Sequence, residues 1–301
     1  MANQVFLIII LTLLFLNGCS RFVTHSDPIP LFGERQVLGI IELDSLNEIS
    51  GLSASQRQQD ILWVHNDSGD GSNIYAITIT GKHVATFSIK GCWAFDWEDI
   101  AIGPGPEKGV SYLYIGDIGD NRSLRPFIQV CRVPEPDVMG AEPSLQLQGE
   151  VITLQYPNGP RDAEALMIAP LSKDIVVISK REKNVFVYYA QYPYKLSEPV
   201  QMHEITRLPI SKVTAADITY DGREVLIMTT RQVLLWQRGA ASESLRSMFD
   251  SQPVVVSSYR RDLQDEAIGW AKNAKGFYTT SEELLGISAK INYYPRLEVN
   301  K

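Results

Sequence analysis

The amino-acid sequence predicts an all-β fold, and two observations support this prediction. Short apolar segments bounded by glycine, proline, asparagine and aspartate recur along residues 34–301, where strong helical periodicity is hard to find. A pairing of an acidic residue with a nearby aliphatic residue also recurs five times. Repeated β units expose sheet edges unless the array closes on itself, so the repeats favour a closed ring of blades.

Five related segments open the repeats. They lie at residues 48–52, 97–100, 163–166, 216–218 and 266–268. The aliphatic residues Leu52, Ile100, Leu166, Ile218 and Ile268 are spaced 48, 66, 52 and 50 residues apart, which is the period of a propeller blade. The sequence therefore predicts a single β-propeller domain over residues 34–301 with five blades. The longer second repeat contains an insertion around residues 122–144 that leaves room for a sixth blade.

Each opening is followed by further short apolar segments in the same order. Second strands are predicted near residues 61–64, 112–115, 175–178, 225–228 and 276–279. Third strands are predicted near residues 74–79, 127–133, 185–189, 233–236 and 287–293, and fourth strands near 84–89, 146–154, 200–208 and 253–258. The fifth repeat reaches the end of the chain before a fourth strand. Residues 36–43 alternate suitably, so we expect this amino-terminal segment to complete the last blade and close the ring.

The amino terminus is typical of an export signal. Val5 to Leu16 is an apolar run of twelve residues interrupted only by Thr12, which is short for a membrane span and suits a signal peptide. The alternative is a buried amino-terminal helix or strand. A small residue then precedes Cys19, as in a bacterial lipobox, where the cysteine is acylated and becomes the new amino terminus.

The domain boundaries follow from this interpretation. Residues 1–18 are predicted to be a lipoprotein signal peptide, and residues 19–33, with Pro28 and Pro30, an extended tether. Ser20 after the cysteine resembles lipoproteins that are sorted to an outer membrane. The expected location is the bacterial cell envelope, with Cys19 anchoring the protein in the outer membrane facing the periplasm.

Charge and cysteine content exclude some functions. The net charge is −7 and the pI about 5.2, so the chain lacks the clustered Lys and Arg that nucleic-acid binding requires. Of the three cysteines, Cys19 is assigned to the lipid anchor. Cys92 and Cys131 either form a disulfide in the oxidising envelope or remain two separate buried thiols.

Carboxylates at the repeat openings are the first candidate site. The innermost strand of each blade lines the central channel of a propeller, so acidic residues that begin these strands converge on one axis. This set comprises Glu48, Glu98 or Asp99, Glu164, Asp217 and Glu266. Like charges this close need a cation among them, and calcium accepts many oxygen ligands in flexible geometry. Alternatively, each acid caps backbone amides or pairs with Arg161, Lys180 or Arg231 to tie the blades together.

A second candidate set follows the second strands. Asp67 and Asp117 lie in loops 65–70 and 116–121, which combine aspartate with glycine in a way that suits calcium and also suits ordinary turns. The corresponding places in the third and fourth repeats hold cations, namely Lys180, Arg181 and Arg231. Together these groups would form a pocket for a metal and an anionic group. The alternative is a set of surface salt bridges.

The openings Glu-Ile-Ser-Gly-Leu at 48–52 and Asp-Ala-Glu-Ala-Leu at 162–166 resemble those of phytase-like and esterase-like propellers. More distantly, they are similar to gluconolactonase and regucalcin-type propellers. Those families hold a divalent metal, often calcium, with channel carboxylates, and they hydrolyse phosphate esters or lactones. The resemblance implies that Glu48, Glu98, Glu164 and Asp217 are metal ligands and that Lys180 or Arg181 contacts a phosphate.

Two functions are therefore predicted. The first is a lipid-anchored binding module whose acidic face holds calcium and docks a small molecule, a glycan or a protein partner. The second is a metal-dependent hydrolase of phosphate esters or lactones that uses a metal-activated water. His65 is the only histidine in a candidate site loop, and the sequence does not identify a general base. The sequence does not decide between a binding protein and an enzyme.

Overall fold

Five β-sheets, one for each predicted repeat, make up the computed structural model. It describes residues 31–298 except 68, 139–143, 241–242, 263 and 284–285. The predicted signal peptide and Cys19 lie outside the described residues. The innermost strand of each sheet contacts the innermost strands of two other sheets, and these contacts close into a ring. The sheets are therefore the five blades of a β-propeller, as the repeats predict.

The strands are numbered in chain order. The innermost strands are β2 (Ile49–Ala54), β6 (Trp97–Pro104), β11 (Ala163–Ile168), β16 (Val213–Ile218) and β20 (Asp265–Trp270). The second strands are β3 (Ile61–Asn66), β7 (Ser111–Asp117), β12 (Ile175–Ser179), β17 (Glu224–Thr229) and β21 (Gly276–Ser281). The third strands are β4 (Asn73–Thr78), β8 (Ile128–Pro134), β13 (Val185–Ala190), β18 (Val233–Gln237) and β22 (Lys290–Pro295).

The outer edges of the blades vary more. The fourth strands are β5 (His83–Lys90), β10 (Glu150–Gln155), β15 (His203–Leu208) and β19 (Val254–Val255). A short helix, α1 (Leu245–Asp250), precedes β19. In the fifth blade the outer place is taken by β1 (Gln36–Ile40), which pairs antiparallel with β22. The predicted closure of the ring by the amino-terminal segment is therefore confirmed.

The described residues of the insertion in the second repeat do not form a sixth blade. At its end, Ser144 begins β9 (Ser144–Gln148), which pairs in parallel with β5 at the edge of the first blade. Residues 146–154, predicted as one strand, are thus two strands that belong to two blades. The third repeat does the same, because β14 (Val200–Gln201) pairs in parallel with β10 before β15 begins. Each extra strand covers backbone groups that an edge would otherwise expose.

The hydrophobic core lies between the blades. The described residues form five buried clusters, and each cluster combines side chains from two adjacent blades. Trp63, Trp97, Trp236 and Trp270 are buried in these interfaces, as expected for large aromatic side chains in a propeller. Trp93 differs, since 79% of its surface is exposed. No helix in the described part of the chain has the length and apolar character needed to cross a membrane.

A disulfide joins the first two blades. Cys92 lies in the connection from β5 to β6, and Cys131 lies in β8. The structure links their sulfurs, with the two Cα atoms 5.8 Å apart. Of the two alternatives that the sequence leaves open for these cysteines, the structure therefore has the bonded pair. The bond fixes the segment that leads into the second inner strand.

Candidate metal site at the channel mouth

Every innermost strand contains a β-bulge at the same place. The register between the first and second strands shifts next to Ile49, Trp97, Ala163, Val213 and Asp265. The inserted residues are Ser50, Glu98, Glu164, Thr214 and Glu266. A bulge leaves one residue unpaired and re-aims its side chain. These five positions begin the inner strands, and we call the face on which the strands begin the top face.

A second ring of residues surrounds the bulges. Four residues that directly follow a second strand donate their backbone N–H to the carbonyl two residues before a bulge, over 2.8 to 3.2 Å. They are Asp67, Lys180, Thr230 and Glu282. This shared hydrogen bond makes the four positions equivalent in four blades. Three of the five bulge residues and two of these four residues are acidic, so the channel mouth is strongly negative.

Lys180 is the cation at the centre of this mouth. Its ammonium forms an ion pair with the Glu164 carboxylate. Burial raises the pKa of Asp67, Glu98 and Glu266, which come from three other blades, and the positive charge of Lys180 partly opposes that rise. A single ammonium thus faces carboxylates brought together from distant parts of the chain. The predicted convergence of these side chains on one axis follows from the ring of inner strands.

Two sets of three carboxylates are close enough to share an ion. Within each set the ligand oxygens lie within 4.8 Å of one another, and Glu98 belongs to both. The first set is Asp67, Asp96 and Glu98, and the second is Glu98, Asp162 and Glu164. Calcium bonds to oxygen at about 2.4 Å, so two of its ligands can lie up to about 4.8 Å apart. Both sets therefore fit a divalent cation.

The first set has no direct ion pair within the described residues. In the second set, Arg181 pairs with Asp162 and Lys180 with Glu164. Across the described part of the chain, no ion pair involves Asp67, Asp96 or Glu98. Glu98 is only 5% exposed, and its carboxylate has no hydrogen-bond partner among these residues. We call Asp67, Asp96 and Glu98 the acidic triad and take it as the candidate metal site.

The electrostatics of the acidic triad favour a bound cation. Burial, with smaller contributions from neighbouring carboxylates, raises the pKa of Asp67 to about 6. Burial followed by the charges of Asp67 and Asp96 raises the pKa of Glu98 well above its ordinary value. The pKa of Asp96 is also raised, again mainly by burial. A divalent ion would supply the missing positive charge and would be coordinated by the carboxylate oxygens. Metal binding and ionisation of the triad are therefore coupled.

Gly119 leaves the space that the acidic triad occupies. A Cβ atom at this position would overlap the Glu98 Oε1 and Asp96 Oδ2 atoms. The Gly119 N–H also donates to the Asp96 carbonyl over 3.2 Å. The glycine of loop 116–121 therefore serves close packing against the carboxylates rather than an unusual backbone angle.

Two predicted ligands lie near the triad but outside it. Glu48 is exposed at the rim of the mouth, and its charge helps to raise the pKa of Asp67. Asp117 is engaged by the guanidinium of Arg125 through two hydrogen bonds of 2.8 and 3.1 Å. It also accepts the Asp96 N–H over 2.9 Å. Asp117 therefore positions Asp96, and its carboxylate is already paired with Arg125.

Asp99 and Asp217 tie neighbouring blades together. Asp99 accepts the backbone N–H of Ile100 and of Leu166, the latter from the third blade, over 2.8 and 2.9 Å. Asp217 accepts the N–H of Ile218 and of Trp270, the latter from the fifth blade, over 2.8 and 2.7 Å.

Asp99 and Asp217 therefore cap backbone amides, which is the alternative role that the sequence offers for the acidic residues at the repeat openings. Of the choice between Glu98 and Asp99, the structure therefore places Glu98 at the mouth. The bulge of the fourth inner strand is at Thr214, so Asp217 is not the member of the ring that the repeat spacing predicts.

Two of the three predicted anion-binding residues lie at the channel mouth, and the third lies away from it. Lys180 and Arg181 both lie at the mouth, where the carboxylates of Glu164 and Asp162 engage them. Arg231 lies on the exposed turn between β17 and β18.

His65 is fully buried beneath the mouth, with its ring 5.6 Å from that of Trp97. Burial lowers the pKa of His65 to about 4, so the imidazole is neutral and packed between blades.

Three acidic residues at the mouth were not predicted as ligands. Asp96 and Asp162 each precede a bulge glutamate by two residues, so an acid-x-Glu pattern repeated in two blades was the available signal. Glu282 occupies the fifth-blade place that corresponds to Asp67. Its pKa is raised by burial and by the charge of Glu48. The equivalence of Glu282 to Asp67, Lys180 and Thr230 is visible only when the strands of the blades are aligned.

The stability of the metal-free protein is expected to fall as the pH rises from about 6.5 to about 8. Burial raises the pKa of Glu266 and of Asp217 to about 7. The unfolded chain has lost these protons near pH 4, so the folded chain binds more protons and stability decreases until both groups are ionised. His65 acts in the opposite sense, but only below about pH 6.5.

Melting temperatures measured in a chelator across this range test this prediction. A Glu266→Gln variant should show a shallower decline than the unsubstituted protein, because one of the two titrating groups is gone. A melting temperature that rises between these pH values would contradict the assignment.

Comparisons with known proteins support no family. No family model matches the sequence, and no curated protein matches it. Among solved structures, the chain is similar to the WD40 repeats of RRP9, with a TM-score of 0.44, 10% identity, and coverage of 89% of this chain and 99% of that one. It is also similar to U3-55K, with a TM-score of 0.42, 9% identity, and coverage of 88% and 99%. Likeness at this level carries no functional argument, and the fold stands on the five sheets described above.

Proposed function

We propose that this protein is a lipid-anchored envelope propeller that binds calcium at the acidic triad and docks a ligand or partner on its top face. One observation carries the proposal: Asp67, Asp96 and Glu98 converge at the channel mouth, and none of them forms a direct ion pair within the described residues. The triad places carboxylates from two blades within reach of one ion. The ring of blades offers a rigid support for such a site.

The donor set favours calcium over other divalent ions. All three triad ligands are carboxylates, which are hard oxygen donors. The ligand oxygens are spread over distances of up to 4.8 Å and come from two blades, an arrangement that suits the long bonds and flexible geometry of calcium. Neutral His65 packs between blades and does not join the set. Water and ligand oxygens would complete the coordination on the open side of the top face.

The lipid anchor rests on the sequence alone. The apolar run, the small residue before Cys19 and the segment that follows all support acylation at that cysteine. In the structure Phe32 is buried in the core and bridged to Arg296, so residues 31–33 belong to the propeller. The predicted tether of residues 19–33 is therefore shortened to residues before 31. The proposed location is the outer membrane, facing the periplasm.

The alternative of a metal-dependent hydrolase of phosphate esters or lactones has less support from the geometry. Such an enzyme needs a cation free to hold an anionic substrate, and both Lys180 and Arg181 are engaged by carboxylates. It also needs a general base, and the pKa of His65 is lowered to about 4 by burial, away from solvent. The resemblance of two repeat openings to hydrolytic propellers remains its main support.

Lys180 is expected to compete with calcium for the channel mouth. A Lys180→Met variant removes the ammonium whose charge acts on Asp67 and Glu98. Calcium affinity should rise by about tenfold, since removing a nearby like charge favours the incoming cation. The metal-free variant should melt at a lower temperature, because its carboxylates lose their counter-ion.

Lys183 provides the matched control. It is exposed in the same loop, so Lys183→Met should change neither property. Isothermal titration calorimetry measures both affinities. An unchanged or weaker affinity in Lys180→Met would contradict the role of Lys180 as an internal competitor.

Calorimetric titration of the metal-free protein with calcium tests the proposed function. We expect binding of one ion together with a rise in melting temperature. The loaded protein is then assayed with a panel of phosphomonoesters and lactones. A binding protein turns none of them over, whereas turnover that depends on calcium would establish the hydrolase instead. Absence of calcium binding would refute both functions together.

A further inference from the structure

Three large apolar side chains are exposed in two loops on the top face of the second blade. The exposed fractions are 79% for Trp93, 69% for Phe95 and 70% for Leu124. Trp93 and Phe95 lie in the connection from β5 to β6, and Leu124 lies in the connection from β7 to β8. We call these three residues the apolar platform. Clustered exposed apolar residues of this kind mark interaction sites more often than scattered single ones.

The first loop of the platform is held in place on both sides of Trp93. Cys92 is bonded to Cys131, and the Cys92 carbonyl accepts the Ser72 hydroxyl over 2.7 Å. The indole N–H of Trp97 donates to the Trp93 carbonyl over 2.9 Å. The exposed indole is therefore presented on a fixed backbone, which lowers the entropy lost when a partner covers it.

The second loop is equally constrained. Asp120 is 5% exposed, and its carboxylate accepts the backbone N–H groups of Leu124 and Arg125 over 2.9 and 2.7 Å. The Arg125 guanidinium lies 5.1 Å from the centre of the Phe95 ring and also pairs with Asp117. The two loops thus support each other, and the platform is one surface.

The apolar platform is continuous with the acidic triad. Asp96 follows Phe95 directly in the chain and belongs to the triad. With all three carboxylates ionised as calcium ligands, the loaded triad keeps one net negative charge. Glu48 and Asp70 add carboxylates in top-face segments of the neighbouring first blade, and the charge of Arg125 is paired with Asp117. A partner that covers the platform therefore meets negative charge next to apolar surface.

We propose that the apolar platform docks a basic protein segment in which an aliphatic or aromatic anchor covers Trp93 and neighbouring Lys or Arg side chains face the triad and its rim. This names the partner class for the top face, and so it rests on the proposed function. Rigid tryptophan and arginine side chains are typical of the residues that dominate protein interfaces. The charge complementarity favours a basic protein over a lipid surface, because anionic membranes repel the surrounding carboxylates.

The fluorescence of Trp93 offers a selective test. The protein has five tryptophans, and the other four are at most 4% exposed, so only Trp93 should be quenched strongly by acrylamide. The probe is a decapeptide of alternating lysine and leucine, added to the calcium-loaded protein. Two comparison peptides replace leucine with serine or lysine with glutamate. Zwitterionic phosphatidylcholine vesicles form a fourth arm.

We expect the lysine–leucine peptide to protect Trp93 from quenching and the other three additions to bind at least about tenfold more weakly. A Trp93→Ser, Phe95→Ser double variant should lose about tenfold in affinity for that peptide, measured by calorimetry. The control is Leu171→Ser, which changes an exposed leucine in the connection between β11 and β12 and should bind normally. In a Trp93→Phe variant the quenchable signal should disappear while binding persists.

Each opposing result overturns the inference. Equal binding of the lysine–serine peptide would show that charge alone acts, and equal binding of the glutamate–leucine peptide that charge does not matter. Protection by vesicles would assign the platform to a membrane, and no protection by any peptide would exclude this partner class. Calcium affinity is measured in the same preparations and should be unchanged in the double variant, so a failure of the metal site is distinguished from a failure of docking.

Discussion

Replacing Glu98 with glutamine is expected to lower calcium affinity by at least about a hundredfold while making the metal-free protein more stable. Glu98 is shared by both carboxylate sets, and its buried carboxylate has no hydrogen-bond partner in the described part of the chain. Loss of its charge removes a ligand when metal is present. The same loss relieves repulsion from Asp67 and Asp96 when metal is absent.

These opposite effects distinguish a metal ligand from a structural residue. Calorimetry gives the affinity, and thermal melts in a chelator give the metal-free stability. Glu107→Gln is the matched control, because Glu107 is exposed in the connection between β6 and β7 and should change neither measurement. A Glu98→Gln protein that binds calcium normally, or that is less stable without metal, would contradict the assignment.

Removing the disulfide is expected to cost about 4 kcal/mol of unfolding free energy in the chain-entropy model. Cys92 and Cys131 are 39 residues apart and connect the entry of the second blade to its third strand. Without the bond, the unfolded chain gains conformational freedom. We expect urea unfolding of a Cys92→Ala, Cys131→Ala variant to shift to a much lower midpoint.

Reduction of the unsubstituted protein provides an independent comparison, because it leaves both cysteine side chains in place. It should produce a loss of similar size. Mass spectrometry without reductant identifies the bonded pair directly. Two free thiols in the native protein, or a variant as stable as the original, would show that the bond does not contribute as described.

The blade count and the closing strand could be predicted from the sequence because both depend on periodic signals. The acid-aliphatic openings recur in all five repeats, and residues 36–43 have the alternation of an edge strand. The extra strands β9 and β14 could not be predicted in the same way. Each is separated by a single residue from the strand that follows it, so one apolar segment contains two strands that join different blades.

The candidate site was predicted in part. Glu98, Glu164, Glu266, Asp67 and Lys180 do meet at the channel mouth. Asp99 and Asp217 cap backbone amides of neighbouring strands instead, because a β-bulge changes which face of the strand a residue occupies and the sequence pattern does not reveal the bulge. Glu98 and Asp99 are adjacent, yet one faces the mouth and the other caps the amides of neighbouring strands.

The role of Asp117 depended on a partner that sequence spacing does not identify. Arg125 lies eight residues further along the chain and returns across the loop to pair with it. Asp96 was overlooked for the complementary reason, since it lies outside the strand and only the loop conformation directs it to Glu98. Side-chain pairing across loops is set by tertiary contacts, whereas the repeat period is set by the chain itself.

An anomalous difference map from a crystal grown with calcium tests the central claim most directly, because it places the ion among named side chains. The account predicts one strong peak at the channel mouth, about 2.4 Å from carboxylate oxygens of Asp67, Asp96 and Glu98. The first two blades would then meet at a single ion. A map with no peak at the mouth in the presence of millimolar calcium, or with its peaks only on unrelated surfaces, would contradict it.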